Sequence, residues 1–369
     1  MSSAPLIVHT DWSRSWGGQE IRTLTELREM RRLGFRTALI VREGAELASR
    51  CGAEGFAVHH IDFSSKFNLR AWLDLLRLLR QLRPAVVNTH SSEDSWMAGA
   101  AARLCGVPLV ARTRHVLEPV SSSFSYRAFP HVIFACSEAI AKQLAGQGVP
   151  RRKIVTQSTG IDEERFRFSA RDREEVRRSC GIADTDVLVG NVAFLRHYKG
   201  HEFIARTAAA LPEQFKFMIV GGGNGRALLE EAITKAGAQE RFILTGHRED
   251  PERYFSAMDL IFFSSYETEG ISQSFIQGLL YGLPLLACRT PSILEPLEFV
   301  RRHRLVDYGD VAAARQGLLE LAENLERDEE AVRLQRRDIA AKYGLKRMVE
   351  NIVQVYAAHG VRNNTIQGG

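Results

Sequence analysis

Along this chain, short unbroken apolar runs alternate with longer stretches in which apolar residues return every three or four positions. The runs have the length of strands and are apolar enough to be covered on both faces, while the spaced stretches carry the period of helices. Strands and helices in strict alternation imply βαβ units and parallel sheets, an α/β architecture. Strands are expected at residues 6–10 (LIVHT), 36–41 (RTALIV), 56–61 (FAVHHI), 85–89 (AVVNT), 107–112 (VPLVAR), 131–136 (HVIFAC) and 153–157 (KIVTQ). Helices fall between them, with Leu33-Gly34 and Leu104-Cys105-Gly106 as C-terminal stops, since glycine accepts the left-handed conformation that ends a helix.

A polar, charge-dense interval from Asp162 to Asp186 has little periodicity and reads as a domain junction. The alternation restarts at 186–192 (DVLVGNV), 215–221 (FKFMIVG), 241–246 (RFILTG), 258–265 (MDLIFFSS) and 283–288 (LPLLAC). A length of 369 residues suits two domains. They are expected over 1–165 and 166–345, facing each other across a cleft. Residues 346–369 are expected to supply an amphipathic closing helix that returns toward the first domain, and a loose tail. Open parallel sheets bind ligands beyond the carboxyl ends of their strands, so loops just after strands are where chemistry is expected.

Composition narrows the partners. No apolar run approaches the roughly 18 residues that span a bilayer. MSSAPLIVHT lacks a basic leader and reads as a first strand, so a cytoplasmic protein is expected. The five cysteines lie far apart with no CxxC pair, which argues against a zinc site, a redox pair or a disulfide framework, and no metal is expected. A net charge of +5 favours phosphate-bearing partners. The basic residues are scattered without the interleaved aromatics of a base-stacking platform, so nucleic acid is not an expected partner.

In ETEGISQSFIQGLLYGLP, residues 267–284, polar residues lead into a helix expected to begin near Ser272. The amides of Gly270, Ile271, Ser272 and Gln273 would then be the unpaired donors of a helix N-terminus, where phosphate is favoured. Phe275, Ile276, Leu279, Leu280 and Leu283 make its buried face, and Gln273 and Gln277 form a polar stripe toward the same loop. Glu267 and Glu269 suit the positive helix end equally well without any ligand. The local pattern leaves both readings open.

Glu269-Gly270, seven further residues, Gln277 and YGLPLLA resemble the signature of retaining glycosyltransferases of family four, E-x7-E in the context EGxxxxxxEAxxxGxPVxA, with Gln277 in place of the second glutamate. GNVAFLRHYKGH (190–201) resembles the family's basic donor-phosphate segment ending in KG, and STGIDEERF (158–166) its TGxDxxxF linker. GGQEIR (17–22) resembles the glycine loop after the first strand, and the terminal helix with Tyr356 the closing helix. These pieces cover nearly the whole chain in the family's order. The resemblance implies the GT-B fold of two Rossmann-like domains and a nucleotide-sugar co-substrate, a UDP-sugar foremost, with no other cofactor. It implies that Glu269 touches hydroxyls of the donor sugar, that the amides from Gly270 to Gln273 hold the donor's distal groups, and that Gln277 takes the ribose hydroxyls, which an amide can do by accepting and donating. Gln277 resembles a feature of one subset of the family. The nucleotide base is implied beside Gly246, His247 and Arg248, read by backbone.

A leaving diphosphate needs fixed cations, and Arg196 and Lys199 have the type and spacing to supply them. The family has an arginine five residues before the lysine, where this chain has Phe194, and Arg196 is taken as the substitute. Gly17 and Gly18 open a helix containing Ile21, Leu24 and Leu27 and permit close backbone approach to the donor. The resemblance places His115 near the reacting sugar. His90 is a second candidate and equally well a structural group; Glu93 and Asp94 are read as helix caps ahead of acceptor contacts. The GGGN turn at Gly221–Asn224 lacks the GK[ST] of a phosphate loop and reads as structural. In NLRAWLDLLRLLRQLR (68–83), Leu69, Trp72, Leu73, Leu76 and Leu79 share a face and Arg70, Arg77, Arg80 and Arg83 spread over the rest. Core packing with a solvated basic face is preferred there over docking on an anionic membrane.

The expected activity is transfer, with retention, of a sugar from a nucleotide-sugar donor to a saccharide or lipid-linked saccharide acceptor, in lipopolysaccharide or cell-surface polysaccharide biosynthesis. His115, Glu269, Arg196 and Lys199 would make the catalytic contacts, with no protein nucleophile, and contact with the inner membrane surface would be peripheral. The alternatives are a catalytically silent sugar-nucleotide-binding module, motivated by Gln277 and Phe194, and a sugar-nucleotide epimerase of the same fold.

Overall fold

The computed structural model describes residues 4–120, 122–266 and 271–363, which fall into two units: Met1–Gly160 with Lys346–Gly369, and Ile161–Leu345. The first unit holds β1 (Leu6–Asp11), β2 (Arg36–Val41), β3 (Ala57–His60), β4 (Val86–Thr89), β5 (Leu109–Arg114), β6 (Val132–Ala135) and β7 (Ile154–Thr156). They pair in parallel in the order β3-β2-β1-β4-β5-β6-β7. The second holds β8 (Val187–Val192), β9 (Phe215–Val220), β10 (Phe242–Gly246), β11 (Leu260–Phe263), β12 (Leu285–Cys288) and β13 (His303–Val306). These are parallel in the order β10-β9-β8-β11-β12-β13.

Helices cover both faces of each sheet, which is why the strands read as unbroken apolar runs. In β9, Phe215, Phe217 and Ile219 enter one core cluster while Met218 and Val220 enter the other, as the two-residue period of a strand requires. The strand β13, sequence HRLV, was not among the expected ones. It is a short edge strand, paired among the described residues with β12 alone, so His303 and Arg304 can face outward and no apolar run marks it.

The polar interval 162–186 lies wholly inside the second unit and is no loose junction. Its charges belong to a helix, Ala170–Ser179, that docks through ion pairs: Arg173 and Arg177 hold the two oxygens of Asp259 at 2.6 and 2.9 Å, and Asp259 also accepts from the Leu188 amide at 2.8 Å. The chain passes between units at Gly160–Ile161, ahead of residue 165. It does so beside its own return: the Ile161 amide donates to the Tyr343 carbonyl at 2.8 Å, and the Leu345 amide donates to the Ile161 carbonyl at 2.9 Å. The helix Leu345–Ala358 then buries Met348, Val349, Ile352 and Tyr356, with Tyr356 edge-on to Phe134 and the Asn351 amide donating to Gln157 Oε1 at 2.9 Å. Among the described residues, no helix is long and apolar enough to cross a membrane.

Each sheet reverses its strand order once, between β1 and β4 in the first unit and between β8 and β11 in the second. At such a switch point the connections leave in opposite directions, and the carboxyl ends of the two strands border an open crevice.

Candidate functional site

In the second unit the switch point is lined by the loop after β8. The Ala193 amide donates to the Val220 carbonyl at 3.1 Å, and the Leu195 amide donates to the Gly222 carbonyl at 2.8 Å. Gly221 is required there because a β-carbon would collide with the Ala193 carbonyl, which confirms GGGN as a packing turn. The loop closes on a short turn, His197–Lys199, and then Gly200 at φ +68°, whose missing β-carbon leaves room for the Ser264 carbonyl. Ser264 Oγ donates to the Lys199 carbonyl at 2.6 Å and the Tyr266 amide to the Tyr198 carbonyl at 3.1 Å. The Lys-Gly turn is therefore pinned to the carboxyl end of β11. Lys199 is only 7% exposed, its ammonium 5.9 Å from the Phe263 ring and 5.6 Å from the Tyr198 ring. Arg196 is exposed, donates to the Tyr198 hydroxyl at 3.1 Å and rests its guanidinium 5.1 Å from the Phe194 ring. The aromatic residue at the family's arginine position thus serves as a platform for Arg196.

Ser264–Tyr266 lead straight into residues 267–270; Glu267, Glu269 and Gly270 lie outside the described residues. The helix resumes as Gln273–Leu279 with Ser272 as its N-cap residue, matching the expected start. Phe275, Ile276, Leu279 and Leu280 are buried, Leu283 partly, and Ile271, Ser272, Gln273 and Gln277 are half-buried. After β10, the His247 and Arg248 side chains turn to Glu249 and Asp250, each at 3.2 Å. A β-carbon on Gly222 would come within 3.1 Å of His247 Cβ, so the loops after β8, β9 and β10 touch in series.

In the first unit, Gly17 sits extended at the start of the helix Gly18–Arg32. Gln19 ties that start to the sheet, its amide donating to both oxygens of Asp11 and to Ser91 Oγ at 2.9 to 3.0 Å. Asp94 closes a capping box with Ser91, as its capping role implied, and also accepts from Thr10 Oγ1 at 2.5 Å and the His90 amide at 3.0 Å. Burial, then the nearby carboxylates of Asp94 and Glu20, push the Asp11 carboxyl up to about 7, and burial pushes Asp94 up to about 6.

His90 and His115 stand in one row with a third histidine, His9 of β1. His9 Nδ1 lies 2.8 Å from His90 Nε2, and His90 Nδ1 lies 2.9 Å from His115 Nε2, the rings edge to edge and near coplanar with centroid distances of 5.1 and 5.2 Å. His115 Nδ1 faces Cys136 Sγ at 3.7 Å, and Arg22, paired with Glu26, donates to that sulfur at 2.8 Å. His9 and His90 are buried, and His115 is partly buried. Burial holds all three rings below the usual imidazole value, helped at His90 by the flanking histidines and at His115 by Arg22 and Arg114. His9, Asp11, Gln19, Arg22 and Cys136 were missed in the sequence. For His9, Asp11 and Cys136 the signal was an ionisable residue in or just beyond a buried strand, and for Gln19 and Arg22 a polar side chain on the first helix; both become readable only once the strand order is known.

The sequence description "Glycosyltransferase Family 4" matches residues 16–165, and "Glycosyl transferases group 1" matches residues 186–324. The chain is 25% identical over 275 residues to a 2-deoxystreptamine glucosyltransferase of Streptomyces kanamyceticus, covering 66% of this chain and 70% of that one. It is 24% identical over 238 residues to an Escherichia coli enzyme named UDP-Gal:alpha-D-GlcNAc-diphosphoundecaprenol alpha-1,3-galactosyltransferase, covering 59% and 61%. Among solved structures, Anabaena HepE in complex with UDP shares the fold at a TM-score of 0.83 and 16% identity, over 95% of this chain and 99% of that one. A Rickettsia africae glycosyltransferase does so at 0.85 and 17%, over 97% and 99%. The two sequence matches fall in order on the two sheets, and the fold likeness runs the length of the chain: this protein belongs to the family-four glycosyltransferases of the GT-B fold and is an enzyme.

Proposed function

We propose that the protein takes its sugar from a UDP-sugar and passes it, with retention of configuration, to a saccharide or lipid-linked saccharide in the assembly of lipopolysaccharide or another cell-surface polysaccharide. The observation that carries this reading is the pinning of the Lys199 turn to the end of β11, one step ahead of Glu269 and Gly270. A diphosphate over that point meets the Lys199 ammonium, the Arg196 guanidinium and strand-end amides, so fixed protein charges neutralise the leaving group. Glu269 and His115 take the sugar, Gln277 the ribose, the backbone at His247 and Arg248 the base, and Gly17 and Gly18 approach the donor closely. The leaving phosphate takes the acceptor proton on the same face of the sugar, and no protein nucleophile is assigned. Support for the donor comes from HepE, whose crystals hold UDP and UDP-glucose, and for the acceptor from the name of the E. coli relative.

The test is a panel of UDP-sugars with UDP release as the readout. One sugar is expected to turn over slowly even without acceptor, its product appearing first with the donor's anomeric configuration by NMR. Lys199→Ala is expected to cut that rate about 10²-fold with the thermal midpoint nearly unchanged, because it removes transition-state charge stabilisation. Tight binding without release would make the protein a silent module, and interconverted UDP-sugars would make it an epimerase; either outcome sinks the reading.

The same reading places the enzyme peripherally on an anionic membrane surface. The helix Leu69–Leu82 buries Ala71, Leu75 and Leu79, as core packing requires, yet leaves Leu69 71% and Leu73 45% exposed beside Phe67 at 83%. The helix is thus apolar on two sides, and Lys66, Arg70 and Arg77 flank the open one.

A further inference from the structure

The three aligned histidines do more than fill space. Neutral imidazole carries one hydrogen on two nitrogens, so a file of three rings can be hydrogen-bonded throughout in only two ways, with all hydrogens pointing outward or all inward. In the inward arrangement His9 Nε2 carries a hydrogen; in the outward one it carries a lone pair. That nitrogen is fully buried and has no hydrogen-bond partner among the described residues. Unpaired buried N–H groups are the rarer and costlier kind of orphan, so the lone pair belongs on His9 Nε2 and the hydrogens run outward. His9 Nδ1–H then donates to His90, and His90 Nδ1–H donates to His115 Nε2. The burial that keeps the rings neutral keeps the file intact, since a second proton on His90 or His115 would set two hydrogens against each other.

We propose that His9 and His90 are positioning residues that hold His115 as its Nδ1–H tautomer, so that the partly buried ring offers its hydrogen at the one nitrogen the file leaves to a ligand. Among the described residues that hydrogen meets only Cys136 Sγ at 3.7 Å, a weak acceptor already engaged by Arg22. A sugar hydroxyl or phosphate oxygen is a far better acceptor and takes the hydrogen over without a tautomer change. The file therefore supplies an oriented donor at no cost of rearrangement when the substrate arrives, the role an orienting partner plays for a catalytic histidine elsewhere. The strand order makes the file: positions 9, 90 and 115 are distant in sequence, but β1, β4 and β5 are adjacent. This inference rests on the assignment of His115 to the sugar, and its test separates the two.

Protein labelled with ¹⁵N-histidine, with signals assigned from His9, His90 and His115 variants, should show three neutral Nδ1–H rings in two-bond ¹H–¹⁵N spectra, the minority tautomer of free imidazole. His115 found as Nε2–H, or charged, overturns the proposal whether or not UDP-glucose is the donor. In UDP release from UDP-glucose, His90→Leu should lower kcat by about 10²-fold while KM moves little, the size of loss that misplacing a reacting group produces. His90→Asn, whose amide nitrogen reaches the Nδ1 position, should restore most of the rate and the Nδ1–H signal of His115. Full activity in His90→Leu with His115→Ala inactive overturns the file and spares His115; full activity in His115→Ala removes the assignment on which it rests, while the spectrum still decides the tautomer.

Discussion

Asp11 carries the clearest titration in the first unit. It ends β1 with its carboxylate buried, facing Asp94 and Glu20, and accepts from the Gln19 amide, the Ser13 amide and the Ser91 hydroxyl. Its ordinary value of 3.8 is raised to about 7. Below 3.8 both folded and unfolded chains hold the proton and Asp11 costs nothing. From there to about 7 the folded protein keeps a proton that the unfolded chain has lost, so stability falls as pH rises, and above 7 the loss is complete and constant. A shift of that size corresponds to a few kcal/mol at most. Asp11→Asn keeps an oxygen for the Gln19 amide and removes the charge. Its thermal midpoint relative to the parent is therefore expected to climb between pH 4 and pH 8, and a difference that stays flat across that range would remove the raised carboxyl from the account. Other single residues were plain in the sequence. Asp94 three positions after Ser91 is a capping box by spacing alone, and Lys199 before Gly200 declares a turn.

Elements were legible where burial is two-sided and less so where it is not. The strands flanking each switch point, β1, β4, β8 and β11, are central and fully covered, and their apolar runs are unmistakable. The helix Ala170–Ser179 looked structureless because its core contact is electrostatic: Arg177, 5% exposed, does through Asp259 what an apolar residue does elsewhere. The helix Leu69–Leu82 was half read. Its buried side follows Ala71, Leu75 and Leu79, but the apolar residues that the sequence assigned to that side include Leu69 and Leu73, which face out. Vesicles test what they face. Binding to liposomes containing phosphatidylglycerol, measured by co-sedimentation, is expected to exceed binding to pure phosphatidylcholine and to weaken with salt, since each basic residue at the surface contributes about 1 kcal/mol within a Debye length. Leu69→Glu with Leu73→Glu should abolish it without lowering the thermal midpoint. Equal binding to neutral vesicles, or none to either, would leave the patch without a lipid role.

At the scale of the whole molecule, the two-sheet plan was visible because βαβ alternation is a local pattern repeated, whereas the histidine file depends on strand order, which no local pattern encodes. The chain path holds the same lesson. The first unit is discontinuous: it ends at Gly160 and resumes at Lys346, and its last helix supplies Tyr356 against Phe134, Asn351 to Gln157, and Met348 beneath the Gly160 amide at 3.0 Å. Residues 1–160 alone would leave those partners bare, and the Arg22–Glu26 pair would lose the wall that Tyr356 provides. The exit and return strands of chain are held together, however, by the two hydrogen bonds between Ile161 and the Tyr343–Leu345 segment, so the gap left by removing 161–345 is only a few residues wide. Such closely spaced ends tolerate a short flexible join. A chain of residues 1–160 joined through a Gly-Ser linker to 346–363 is therefore expected to unfold cooperatively, while 1–160 by itself binds a hydrophobic dye and shows no sharp transition. Cooperative unfolding of 1–160 alone would mean that the returning helix is dispensable to the first unit, against the burial of Met348, Ile352 and Tyr356 in it.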